Sequence, residues 1–267
     1  MRALAEFIMR GRPQAGGVAA LGYIVPLLGP IAVALVTLRK GVHEGGVVLL
    51  LALAPAVLST IFGGGAPILI IVVLLLAYIL SLILRATVSL PFTVICGLCV
   101  SIGIAGIIAL FVPETMDRMI EVLHKQVAVS KLDSAEKISG LVACILLINT
   151  TVGLLLGRWL QALAFNPGGF REEFCSFRLG LGASIICFVG SLLGYYQGGS
   201  YVWWASTLAF PLLLVALAIA HSIARARHLP LLWLILYYFM AIAFMPAVVC
   251  VGFIDVWVNF RDRLSKK

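Results

Sequence analysis

The sequence predicts an all-α, polytopic membrane bundle, and three observations carry that prediction. Hydrophobic residues fill 63% of the 267 positions and charged residues only 11%, against about 25% charged in soluble domains. Mean hydropathy is +1.15. The apolar residues also fall into runs near the roughly 20 residues that cross a hydrocarbon layer about 30 Å thick, with the charges gathered in the connections between them.

The chain reads as one integral membrane domain over residues 1–267. Residues 1–17 are polar and short, with Met1, Leu4, Phe7 and Ile8 on one helical face and Arg2, Arg10 and Arg12 elsewhere, the pattern of an interfacial helix. Glu6 and the lack of a small-x-small cleavage site argue against a signal peptide. A first span is predicted over about 18–38, kinked or unwound at Pro26 and Gly29-Pro30. Residues 46–62 and 67–84 form a tight pair joined by Gly63-Gly64-Gly65, the former containing Pro55 and open to either a full or a re-entrant reading. A fourth span covers about 88–112, with Gly97, Gly103 and Gly106 as close-packing positions. Residues 113–137 follow as an amphipathic connecting helix, apolar at Met116, Met119, Ile120, Leu123 and Val127.

The fifth span, about 138–165, carries the most informative stretch. Asn149, Gly153, Gly157, Gln161 and Ala164 share an arc of about 120° at 3.6 residues per turn, so one face is both small and polar and should look at other helices. Arg158 and Trp159 come where the helix has run the hydrocarbon thickness. They read either as a snorkelling anchor or as part of a charged lip over a cavity. Asn166-Pro167-Gly168-Gly169 breaks the helix, after which Arg171, Glu172, Glu173 and Arg178 are expected close together.

A sixth span covers about 181–196, with Gly190-xxx-Gly194 as a packing seam. The seventh starts at Tyr201, Trp203 and Trp204 and closes at His221, Arg225 and Arg227. The eighth, about 231–256, is read as one helix kinked at Pro246, with Tyr237, Ala241, Phe244, Val248, Gly252, Asp255 and Asn259 on one side. Asp255 is the only carboxylate in a hydrophobic run. Its partner is either local (Asn259, Arg261 or Arg263) or across the bundle (Arg158 or His221).

Eight spans with both ends cytoplasmic put 11 of the 19 Lys and Arg inside and 8 outside, a weak bias. Six or seven spans are the alternatives, because a re-entrant element would move several external arginines inside. The net charge of +8 is scattered over helix ends, which points to the lipid bilayer and not to nucleic acid. Five of six cysteines lie in apolar runs, and Cys96-Gly-Leu-Cys99 has no His or carboxylate beside it, so neither a disulfide framework nor a metal site is expected. No paired carboxylates, His cluster or phosphate-cradling Gly-Lys-Ser/Thr motif occurs. The chain is therefore expected to be no enzyme and to need no cofactor. Energised transport would require another membrane protein, a separate ATPase, or an ion gradient.

Four stretches, AEFIMRGRPQA (Ala5–Ala15), LRKG (Leu38–Gly41), RWLQALAFNPGGFREEF (Arg158–Phe174) and GFIDVWVNFRDR (Gly252–Arg263), resemble the gammaproteobacterial branch of the YybS-like family. That resemblance implies a multi-pass protein of the bacterial inner membrane. Through the family's proposed relation to the substrate-binding S components of energy-coupling-factor transporters, it also implies a helical bundle around a small-molecule cavity. It carries over no catalytic residues. The expected function is transport or small-molecule or lipid binding, the alternative a non-catalytic scaffold or assembly factor. The candidate polar-cavity residues are Asn149, Arg158, Gln161, Asn166, Arg171, Glu173, His221 and Asp255.

Overall fold

In the computed structural model, residues 1–62, 67–111 and 135–261 are described, the side chains of 135–137 excepted. The amphipathic reading of 113–137 and the assignment of Arg263 lie outside those described residues and side chains. Among the described residues every regular element is a helix: α1 (Arg2–Arg10), α2 (Arg12–Leu21), α3 (Leu28–Lys40), α4 (Val42–Ile61), α5 (Ile68–Thr87), α6 (Leu90–Phe111), α7 (Ala135–Phe165), α8 (Gly169–Cys175), α9 (Leu181–Gln197), α10 (Tyr201–Ala226), α11 (Leu231–Ala243) and α12 (Met245–Val258). Among the described residues five helices are long and apolar enough to cross a membrane: α4, α5, α6, α7 and α10. The chain divides into two compact units, Met1–Gly97 with Leu146–Glu173, and Leu98–Ile145 with Phe174–Lys267.

The first unit is organised around α3. Its sequence is apolar on every side, LGPIAVALVTL, and such a helix is stable only when surrounded. All ten residues from Gly29 to Leu38 are buried. Neighbouring helices reach it through small residues: a Cβ on Gly45 of α4 would meet Thr37, one on Gly153 of α7 would meet Pro30, and one on Gly157 would lie 2.8 Å from the Ala34 Cβ and 3.1 Å from the Ile31 carbonyl. The Asn149–Gly157 face of α7 thus meets α3 at its two glycines. Thr37 returns its hydroxyl to the Val33 carbonyl at 2.7 Å, so its polar group is satisfied inside the helix.

The predicted first span does not form as one helix. Residues 22–27 are a turn, and α2 and α3 run back to back. Lys40 Nζ donates to the Met9 carbonyl at 3.3 Å, and Arg12 pairs with Glu44 through Nε–Oε2 at 3.0 Å and Nη2–Oε1 at 2.6 Å. Both ends of the hairpin therefore lie at one end of the unit. With 10 and 13 residues, its arms are about 15 and 20 Å long at 1.5 Å per residue, so neither crosses alone. Pro26 and the glycines at 22 and 29 do more than kink the helix: Gly22 and Gly29 approach so closely that a Cβ on Gly22 would strike the Gly29 backbone. Helix α1 packs on the same unit through fully buried Ala5 and Ile8, leaving Met1 and Phe7 exposed.

In the second unit α9 and α10 form an antiparallel pair joined by a three-residue turn, and Gly190 and Gly194 face Leu208 and Ala205. Helix α9 has 17 residues, just short of the long spans. The predicted eighth span is two helices that meet at Phe244 and diverge by 108°, so the single face drawn from Tyr237 to Asn259 does not exist. Tyr237 donates to the Ala216 carbonyl at 3.3 Å from α11. Gly252 of α12 takes the place where a Cβ would strike the Leu212 carbonyl, and Phe253 stacks on Phe188 at 3.9 Å. Helix α11 starts beside the end of α10, and α12 ends beside Arg178, just ahead of α9, so the bent pair returns to the end it left. Gly103 and Gly106 were expected to pack closely, yet a Cβ on either meets no described atom within 4 Å.

Candidate functional site

Three helices of the first unit finish together, and their last turns border a half-open cavity of 330 Å³ lined by Leu38 and Arg39 of α3, Leu84, Arg85 and Val88 at the end of α5, Arg158, Gln161, Phe165 and Asn166 at the end of α7, and Glu173 of α8. The Asn166–Gly168 break makes the lining possible. Gly168 adopts φ +93°, which suits glycine, and it turns α8 so that Glu173 comes back against α7.

Each cation on this wall is held in place. Arg158 Nη2 lies 2.8 Å from Glu173 Oε2, both side chains about one-fifth exposed, and its Nη1 donates to Gln161 Oε1 at 3.2 Å. Arg85 Nη1 donates to the carbonyls of Thr37 and Leu38 at 3.2 and 3.0 Å, which satisfies acceptors left open at the C-terminus of α3. Arg39 lies over the Phe165 ring, 4.4 Å from its centroid. Three arginines against one carboxylate leave the wall with an excess of two positive charges.

Burial pushes the Glu173 carboxyl above its ordinary range, and the opposing pull of Arg158 does not fully offset it. A folded-state value raised above the unfolded one means that ionised Glu173 weighs against the fold at neutral pH, a penalty relieved as pH falls through the folded value. Glu173→Gln is therefore expected to melt higher than the parent at pH 7, with the difference closing below about pH 4.5. Melting curves of the two proteins between pH 4 and 8 check this. A gap that widens on acidification contradicts it.

Of the residues expected at a polar cavity, Arg158, Gln161, Asn166 and Glu173 share this wall. Asn149 lies half-buried further down α7, and Arg171 is exposed on α8; neither lines the cavity. His221 and Asp255 belong to the second unit. Sequence reasoning missed Arg39 and Arg85, which lie just past the ends of the apolar runs 18–38 and 67–84. Their signal was present: each closes an apolar run one helix length after a connection, so both fall at the level of Arg158.

The second unit holds a separate ionic knot. Asp255 is fully buried, its Oδ1 accepts the Phe260 N–H at 2.9 Å, and its Oδ2 faces Arg261 at 3.6 Å and Arg178 at 3.8 Å. Arg178 Nη2 also donates to the Asp255 carbonyl at 2.8 Å, and Arg261 to the Phe177 carbonyl at 2.8 Å. The local partner, Arg261, is thus joined by one from a distant segment. Arg178 lies beyond the end of α8 and serves this knot. His221 Nε2 sits 3.0 Å from the Tyr238 hydroxyl and edge-on to Phe174. Among the described residues no group of three His, Cys, Asp or Glu side chains could hold a metal. No family model, no curated protein and no solved structure matches the chain.

Proposed function

We propose that this protein is a multi-pass component of the bacterial inner membrane that captures a small molecule or a lipid headgroup from the cytoplasmic side through the cavity of its first unit. The observation that carries this reading is the convergence of Arg39, Arg85, Arg158, Gln161, Asn166 and Glu173 on one cavity wall where three helices end. Convergent polar groups fix a ligand's orientation in a site, and here six of the ten lining residues are polar or charged. The likeness to the YybS-like family, and through it to S components, supports capture over scaffolding.

The orientation follows from charge. If α2–α3 and α11–α12 are re-entrant, six crossings remain: α4, α5, α6, α7, α9 and α10. Counting crossings then puts 15 of the 19 Lys and Arg on one side (Arg2, Arg10, Arg12, Arg39, Lys40, Arg85, Arg158, Arg171, Arg178, Arg225, Arg227, Arg261, Arg263, Lys266 and Lys267) and four, Arg118, Lys125, Lys131 and Lys137 of the connection between α6 and α7, on the other. That is a far stronger bias than eight spans give, and it makes this side cytoplasmic. In a cysteine-free background, Arg2→Cys, His43→Cys and Arg171→Cys should react with a membrane-impermeant maleimide only from the cytoplasmic side, and Gln197→Cys only from the other. Labelling of positions 2 and 43 from opposite sides would refute the hairpin.

Capture itself is tested on protein extracted with its native lipids into nanodiscs, with released small molecules identified by mass spectrometry. Gln161→Trp fills the cavity and should abolish retention of whatever the parent holds. If parent and Gln161→Trp release the same molecules, the cavity is not a capture site and the scaffold reading stands in its place.

A further inference from the structure

We propose that the cavity of the first unit is built for a phosphate-bearing anion, gripped by Arg39, Arg85 and Arg158. This rests on the capture reading and adds the chemistry of the ligand. A guanidinium presents five N–H donors in a planar fork, and the contacts present here use only part of each. Arg85 spends Nη1 on the end of α3. Arg39 holds its guanidinium carbon 4.4 Å from the Phe165 ring centroid, a contact that engages no oxygen acceptor and leaves N–H groups for a ligand. Neither arginine has a carboxylate partner among the described residues; Glu173 is taken by Arg158.

The excess of two formal positive charges, set against the partial negative ends of the three helices that finish here, favours an anion. A phosphate monoester or inorganic phosphate approaches two negative charges near neutral pH, and its oxygens reach several forks at once, whereas a carboxylate neutralises one charge and fits one fork. Gln161 and Asn166 add neutral hydrogen-bonding groups to the same wall. A second, shallow and mostly open groove, lined by Glu6, Met9, Arg10, Arg39, Lys40 and Phe165, shares Arg39 and Phe165 with the first. It offers room for the organic part of an ester, under a helix whose exposed Met1 and Phe7 suit lipid. A lipid phosphate monoester and a soluble phosphate monoester present the same chemistry to these arginines.

The test uses the full chain in phosphatidylcholine nanodiscs, titrated calorimetrically with inorganic phosphate, with glycerol 3-phosphate and with acetate. Phosphate and its ester should bind, and acetate at least tenfold more weakly. Arg39→Gln and Arg85→Gln should weaken phosphate binding at least tenfold, Arg39→Lys should recover part of the loss, and Arg227→Gln, remote in sequence on the second unit, should bind as the parent does. Arg39 is exposed and makes no backbone contact with another helix, so Arg39→Gln reads binding even where Arg85→Gln disturbs the end of α3. Nanodiscs containing phosphatidic acid, whose phosphate is a monoester, separate the two sources. A lipid ligand would suppress the phosphate titration and remain on the parent, but not on Arg39→Gln, in native mass spectra; a soluble ligand would leave the titration unchanged. The assignment falls if acetate binds as tightly as phosphate, or if the arginine variants bind phosphate and anionic lipid as the parent does. A neutral molecule retained by both arginine variants and lost in Gln161→Trp would overturn the phosphate assignment while leaving capture intact.

Discussion

Asp255→Asn is expected to cost about 3 kcal/mol of stability, near the lower end of the range for breaking a buried charge pair. Asparagine keeps the acceptor for the Phe260 N–H but removes the charge that faces two guanidiniums at 3.6 and 3.8 Å. Arg261, 12% exposed, is then left with its charge uncompensated. Arg178, 37% exposed, can turn to water, which is why the upper end of the range is not expected. A lone interfacial pair would have made the change mild, about 0–1 kcal/mol; full burial of Asp255 and the second arginine remove that reading. Denaturation of the detergent-solubilised parent, Asp255→Asn, Arg261→Gln and the double variant gives the coupling directly. A double variant no less stable than either single variant supports the pair. Additive losses would mean that Asp255 acts through its backbone neighbours alone.

Gly157→Leu should lower stability by about 2–3 kcal/mol, the cost of overpacking a tight core. The first carbon added at 157 already meets the Ala34 Cβ at 2.8 Å and backbone atoms of Ile31 and Leu35 at 3.1 Å. Backbone cannot step aside, so α7 must lift from α3, and the cavity lined by Arg158 and Gln161 opens with it. Gly153→Leu should behave alike, against Pro30. The contrast is Gly106→Ala on α6, where nothing described lies within 4 Å and the change removes about 1 kcal/mol of helix penalty; its melting temperature should hold or rise. If Gly157→Leu and Gly106→Ala melt together, α7 does not pack on α3 through this seam.

The two α7 glycines were legible in the sequence because their spacing, together with Asn149 and Gln161, marks one helix face by period alone. Gly103 and Gly106 show the limit of that signal. A glycine in an apolar run permits close approach without supplying a neighbour, and only the placement of other helices decides whether one arrives.

The sequence by itself determined that the chain is helical and apolar enough for a membrane, where most helices begin and end, and that Arg158, Gln161, Asn166 and Glu173 gather around a broken helix end. Those properties are local, set by hydropathy, helical period and the breaking of backbone hydrogen bonds at Pro167 and Gly168. Tertiary structure alone decided which apolar runs stay one helix and which break and fold back. Residues 18–38 and 231–256 have the hydropathy of spans, and a proline in such a run is compatible with a kink, an unwound turn or a reversal. The choice fell to contacts far apart in sequence: Gly22 and Gly29 allowing a tight turn, Lys40 reaching Met9, Arg12 reaching Glu44, and Arg178 tying down the end of α12. Packing within the first unit likewise brought Arg39 and Arg85 to the wall that Arg158 lines, which no window along the chain could reveal, since 119 positions separate Arg39 from Arg158 by number.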